Sequence, residues 1–199
     1  MSLRFSSCLT LAAVLFLEGC AATRPIHYYT VEPAPQATNQ TVPSGITLLV
    51  GDIPTPEAMQ DGRIRYRIGS NETAAYEYHR WGERPGLMVR NSLIRALRNT
   101  GKYERVVEAT SSGTGDYLVR GKLNEFDEVD GASIQTRISL QIELVDRKTN
   151  RSIWDRVIER EEPVNSKTVP EVVQSLDRNL QHVLADAVVQ IDQLLASRR

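Results

Sequence analysis

Between Ser133 and Leu144 two kinds of residue alternate without a break. Ile134, Thr136, Ile138, Leu140, Ile142 and Leu144 occupy one set of positions. Ser133, Gln135, Arg137, Ser139, Gln141 and Glu143 occupy the other. A period of two is the strand period, so one face of this segment is apolar and the other wet. A strand of that kind needs a sheet with one covered face and one solvated face, as antiparallel sheets commonly have.

The same period recurs upstream. In Gly62–Gly69 (GRIRYRIG), Ile64, Tyr66 and Ile68 alternate with Arg63, Arg65 and Arg67. Tyr76 and Tyr78 then alternate with Glu77 and His79, and Gly69-Ser70-Asn71 between the two runs is turn chemistry. A hairpin is predicted. Asp116–Phe126 puts Tyr117, Val119 and Leu123 on one strand face. Ser152–Arg160 returns after the polar turn Asp146–Asn150, carrying Trp154 and Ile158. Ile46–Val50 is apolar throughout and reads as a strand buried on both faces, ended by Pro54 and Pro56. Tyr103–Val107 is a shorter strand candidate, and Ala109–Gly115 a loop. Within residues 20–45, Ile26–Val31 (IHYYTV) can dock as an edge strand.

Two segments carry the helical period. Pro85 fits an early helix position, Leu87, Val89, Leu93, Ile94 and Leu97 form a stripe, and Gly101 is the stop. The longer helix opens at Thr168, with Glu171 at capping-box spacing and Pro170 in the first turn. Its stripe is Val169, Val172, Val173, Leu176, Leu180, Val183, Leu184, Ala187, Val188, Ile191, Leu194 and Leu195. This face is predicted to cover the dry side of the sheet. Its length also permits a coiled coil with a second copy, so a homo-oligomer stays open. The fold class that results is α+β: one domain, a largely antiparallel sheet covered by two helices, the longer one C-terminal.

The start of the chain reads differently. Arg4 precedes a nine-residue apolar core, Leu9–Leu17, too short to span a bilayer, and Leu17-Glu18-Gly19-Cys20 follows. This resembles a bacterial lipoprotein signal, although Glu18 stands where a small or apolar residue is usual. It implies cleavage before Cys20 and acylation of Cys20. An ordinary secretory signal followed by a chance Cys is the alternative. The chain has two Cys, Cys8 and Cys20. Cleavage would leave Cys20 alone, with no disulfide and no free thiol for catalysis. Residues 1–19 are thus read as a signal peptide. Residues 20–45, with Pro25, Pro33, Pro35 and Pro43, form an extended tether. Residues 46–199 are the folded domain.

From Tyr28-Tyr29-Thr30 to the last helix the chain resembles the ABC-type transport auxiliary lipoproteins. The shared features are Leu49-Val50-Gly51, the Ile53-Pro54 turn, Arg67 before Gly69, and Tyr78-His79-Arg80-Trp81. None is a catalytic motif. The resemblance implies a non-enzymatic accessory lipoprotein of an MCE-type intermembrane lipid transport system. It also implies an outer-membrane anchor, with an MCE-domain protein as partner and phospholipid as a further candidate ligand. Ala21 after Cys20 agrees with outer-membrane sorting. An envelope lipoprotein with a structural or assembly role is the alternative.

Little in the residues points to chemistry. His27, His79 and His182 lie on separate elements without metal-ligand spacing, and no cofactor motif is present. Gly113-Thr114-Gly115 is too short for a phosphate loop and precedes a strand. The formal net charge of −1 gives no reason to expect nucleic acid. His79, Trp81 and Trp154 read as structural, and Glu159, Glu161 and Glu162 as solvated. The Arg63, Arg65 and Arg67 stripe is the candidate site: either a solvated strand face or a surface for anionic head groups or an acidic partner.

Overall fold

The structure is a computed structural model that describes residues 24–31, 44–69, 71–110 and 113–198. The signal segment and Cys20 lie outside the described residues, as do residues 32–43.

The element order is β1 (His27–Tyr29), β2 (Thr47–Val50), a 3-10 turn at Glu57–Met59, β3 (Arg63–Ile68), β4 (Glu72–Trp81), α1 (Pro85–Asn99), β5 (Arg105–Glu108), β6 (Tyr117–Asp130), β7 (Gln135–Asp146), β8 (Arg151–Pro163) and α2 (Val169–Ala196). The eight strands form one sheet. Its long ladders, β6–β7 and β7–β8, are antiparallel, as is the β3–β4 hairpin. The architecture is therefore the expected α+β one. Shorter parallel ladders complete it.

β6 is the spine. One edge pairs with β7 along its length. The other pairs with β2 near its start, where Leu48 faces Tyr117, and with β3 near its end, where Tyr66 faces Glu128. Between those contacts the chain stays against β6. Gly51 N donates to Val119 O at 2.8 Å, and Leu123 N donates to Pro54 O at 3.0 Å. Pro54 has no donor but keeps a carbonyl, so it ends regular pairing without losing contact.

The helices cover one face. α2 lies on β7 and β8 and reaches β6, and α1 packs on α2, β5 and β6. The alternating set of β7 is the centre of the core: Thr136, Ile138, Leu140, Ile142 and Leu144 have no exposure. On α2, Leu176, Leu180, Val183, Ala187 and Ile191 are equally buried, so the stripe packs on the sheet. Polar pins cross this interface. Thr136 Oγ1 and Ser175 Oγ share a hydrogen bond of 2.9 Å, and Asn179 Nδ2 donates to Thr136 O and Arg160 O at 3.1 Å each. Such pins fix which turn of α2 meets which strand residue, since an unpaired buried polar group is costly.

Three local details differ from the reading of the sequence. Thr168 does stand at the start of α2, but its side chain makes no capping bond. Pro170 has no amide hydrogen to offer a cap. In α1 the buried face is Met88, Val89, Leu93, Ile94, Ala96 and Leu97, while Leu87 is 37% exposed. The helix is rotated so that Met88 takes the inward place. In β6 the register shifts between Leu123 and Glu125. That bulge reverses the alternation, so Leu123 and Phe126 both face the core at 0% and 2% exposure.

Candidate functional site

On the open face of the sheet, β3 carries Arg63, Arg65 and Arg67, with Ile64 fully buried behind them. Each guanidinium has an intramolecular partner. Arg63 Nε lies 2.6 Å from Asp61 Oδ2. Arg65 Nη1 donates to Ala58 O at 2.8 Å, and its Nε lies 3.4 Å from Asp127 Oδ1. Arg67 Nη2 lies 3.0 Å from Glu125 Oε1 and 3.4 Å from Asp127 Oδ2. The bulge of β6 is what turns Asp127 outward to meet them.

Asp127 is 3% exposed. Burial pushes its carboxyl above the usual range, although Arg65 and Arg67 both pull it down. The two arginines screen it from water, and their own side chains are only 14% and 23% exposed. Arg63, at 42%, is the accessible member. The row continues outward over β7 and β8: Arg137 pairs with Glu161 and lies 3.9 Å from Glu125, and Ser139 Oγ donates to Glu159 Oε1 at 3.1 Å. Glu125, Arg137, Glu159, Arg160 and Glu161 line a shallow open groove there. The face is thus a lattice of alternating charge. It can engage a charged partner by exchanging ion pairs, with Arg63 and the groove as the accessible parts.

The helix-side face holds the residues read as structural. Trp81 is 4% exposed and packs on Phe126 with centroids 5.2 Å apart and ring planes tilted by 51°. His79 Nδ1 shares a hydrogen bond of 2.9 Å with the Tyr29 hydroxyl. Tyr76 Oη donates to Glu128 Oε2 at 2.7 Å. Burial, helped by that carboxylate, pushes the Tyr76 phenol up, and burial pushes Glu128 up as well. Glu162 pairs with Arg160 and with His182 Nδ1. The three histidines are not brought together on one site.

Reading the sequence missed Asp127 and Glu125 as counter-ions of the arginine stripe. They lie 60 and 58 positions downstream of Arg67, and only the β3–β6 pairing brings them near. The acidic residues Glu125, Asp127, Glu128 and Asp130, at and just beyond the end of the predicted strand Asp116–Phe126, were the available signal.

β1 docks parallel to β4, with His27, Tyr28 and Tyr29 opposite His79, Arg80 and Trp81. Val31 beyond it is buried at 3% exposure. Residues read as tether are therefore partly built into the sheet. Among the described residues no helix is long and apolar enough to cross a membrane.

Known proteins share this fold. A crystal structure of a DUF330-family protein from Xanthomonas campestris superposes with a TM-score of 0.75 at 20% identity, covering 88% of this chain and 100% of that one. A crystal structure of an uncharacterized protein superposes at 0.68 with 16% identity, covering 84% and 99%. No curated protein matches the sequence. A family model, the ABC-type transport auxiliary lipoprotein component, matches residues 29–188, which run from the end of β1 into the last turns of α2. The chain belongs to that family of transport auxiliary lipoproteins.

Proposed function

We propose that the mature protein is held on the periplasmic face of the outer membrane by an acylated Cys20. There it serves, without catalysing a reaction, as the accessory component of an MCE-type lipid transport system. The match of the auxiliary lipoprotein family over residues 29–188 carries this reading. The Leu17-Glu18-Gly19-Cys20 segment after a short apolar core supports the anchor, and Ala21 supports the outer membrane. Acyl chains contribute about 0.8 kcal/mol per buried methylene, so two or more hold a protein stably. Residues 1–19 are then removed, and residues 46–199 with the docked β1 form the working domain.

The working surface is the charged open face, with Arg63 and the Arg137–Glu161 groove offered to an acidic patch of the MCE-domain protein. The test is co-isolation from detergent extracts with a tagged full-length chain. Recovery of an MCE-domain protein by wild type, reduced by Arg63→Glu combined with Arg137→Glu, is expected. Absence of any MCE-domain protein from the wild-type eluate would refute the assignment to that system.

A further inference from the structure

Among the described residues β1 is the first element after the proposed anchor, and its place in the sheet limits how far the domain stands from that anchor. Cys20 and His27 are seven positions apart. At no more than about 3.6 Å per residue, that stretch spans at most about 25 Å. Pro33, Pro35 and Pro43 follow β1 in the chain, so they add nothing to this leash. The β1 edge of the sheet must lie beside whatever surface holds Cys20.

That edge has a distinct composition. Alternation turns His27 and Tyr29 to the helix side and Tyr28 to the open side. Tyr28 is the register partner of Arg80, and Arg80 is the register partner of Arg63. Residues directly opposite share a face, so Tyr28, Arg80 and Arg63 form a row across β1, β4 and β3. Tyr78, two residues before Arg80, has the Arg24 guanidinium 5.7 Å from its ring centroid. Tyr28 is 66% exposed and Ile26 is 45% exposed.

The charges of this corner are not balanced within it. Asp61 pairs with Arg63, and the nearness of Glu77 holds the Tyr78 phenol above its usual value. Arg80 Nη1 donates only to the Asp61 backbone carbonyl, at 3.3 Å. Among the described residues no carboxylate pairs with Arg80 or Arg24. Arg63 and Arg80 also stand directly opposite, and the Asp61 carboxylate beside them is taken by Arg63.

We infer that this corner is a bilayer-facing surface. Tyr28, Tyr78 and Ile26 seat at the interface of the membrane that holds Cys20, and Arg24 and Arg80 bind phosphates of its phospholipid head groups. Tyrosine suits that depth because its ring is apolar and its hydroxyl stays wet. A guanidinium matches two phosphate oxygens with paired donors. The contacts can be individually weak, because an anchor within reach keeps the local concentration of head groups high. The inference rests on Cys20 being the anchor. It assigns lipid to the Arg24–Arg80 end of the arginine-bearing face and leaves Arg63 and the Arg137–Glu161 groove for protein.

The experiment uses the full-length protein, matured in cells and reconstituted on vesicles of phosphatidylethanolamine and phosphatidylglycerol. Tyr28→Cys and Val157→Cys each supply one exposed thiol for an environment-sensitive fluorophore. Val157 is 52% exposed on β8, at the opposite edge of the sheet, five strand spacings or roughly 24 Å from β1. Bilayer-resident quencher is expected to cause a several-fold larger loss of fluorescence at position 28 than at position 157. Arg24→Gln with Arg80→Gln is expected to shrink that difference. Vesicle flotation with equal quenching at both positions overturns the surface while leaving the anchor intact. Failure of the wild-type protein to float overturns the anchor, and the surface with it.

Discussion

The imidazole of His27 stacks on that of His79, with ring centroids 5.1 Å apart and planes 16° from parallel. The two residues are register partners on β1 and β4, so the stack helps hold a strand of only three residues in place. Tyr29 closes it with a hydrogen bond to His79, and Tyr76 meets the ring edge-on. Two neutral rings stack well, whereas two imidazolium rings at that distance repel.

Docking of β1 is therefore expected to depend on pH. Burial, and then the nearness of His27, hold His79 below the usual histidine value. A lowered value means the docked state binds fewer protons than the released one. Docking is thus at full strength above about pH 6.5 and weakens as pH falls below it. Amide exchange protection at Tyr28 and Tyr29 is expected to drop between pH 8 and pH 5, and His79→Phe to flatten that profile. Protection factors constant over this range in the wild type would disprove the coupling.

Asp127 sets the relative cost of losing each arginine. Removing Arg67 leaves a carboxylate at 3% exposure with one remaining cation. Breaking a buried pair in this way costs about 3 kcal/mol or more. Arg63 and Asp61 are each more than 40% exposed, and an exposed pair contributes about 0.5 kcal/mol. Urea unfolding of Arg67→Ala and Arg63→Ala is expected to separate them clearly. Equal midpoints would mean that Asp127 is not held as described.

Leu184 is 1% exposed at the middle of α2. Leu184→Asp places a carboxylate in the core and is expected to cost several kcal/mol, enough to unfold much of the population. Gln190→Asp, on the half-buried flank of the same helix, is expected to cost under about 1 kcal/mol. Thermal melts followed by circular dichroism check the contrast.

Gly86 lies in the first turn of α1, where an added Cβ would meet Ile53 O at 2.1 Å. The helix start is pressed against that backbone, so even one methyl group forces it away. Gly86→Ala is expected to destabilise by about 1–3 kcal/mol. An alanine at exposed Leu87 next to it serves as the control, with a far smaller expected loss in the same urea titration.

Much of this molecule is legible in its sequence because much of it is local. The alternation through Ile134–Leu144 already states which residues β7 buries, since each strand residue faces opposite its neighbour whatever lies alongside. The α2 stripe is legible for the same reason at a period of 3.6. The candidate site was legible only as far as Arg63, Arg65 and Arg67 sharing a face. Their counter-ions were not, because Asp127 faces outward only through the β6 bulge near Leu123, and a bulge depends on the partner strand rather than on the residues it displaces. The parallel docking of β1 was hidden likewise. IHYYTV reveals a tendency to extend, but nothing in it names β4 as the neighbour. Sequence thus determined the faces and the element types. Tertiary structure decided which faces meet, since register joins residues that are far apart in the chain and is set by the collective packing of the sheet against α1 and α2.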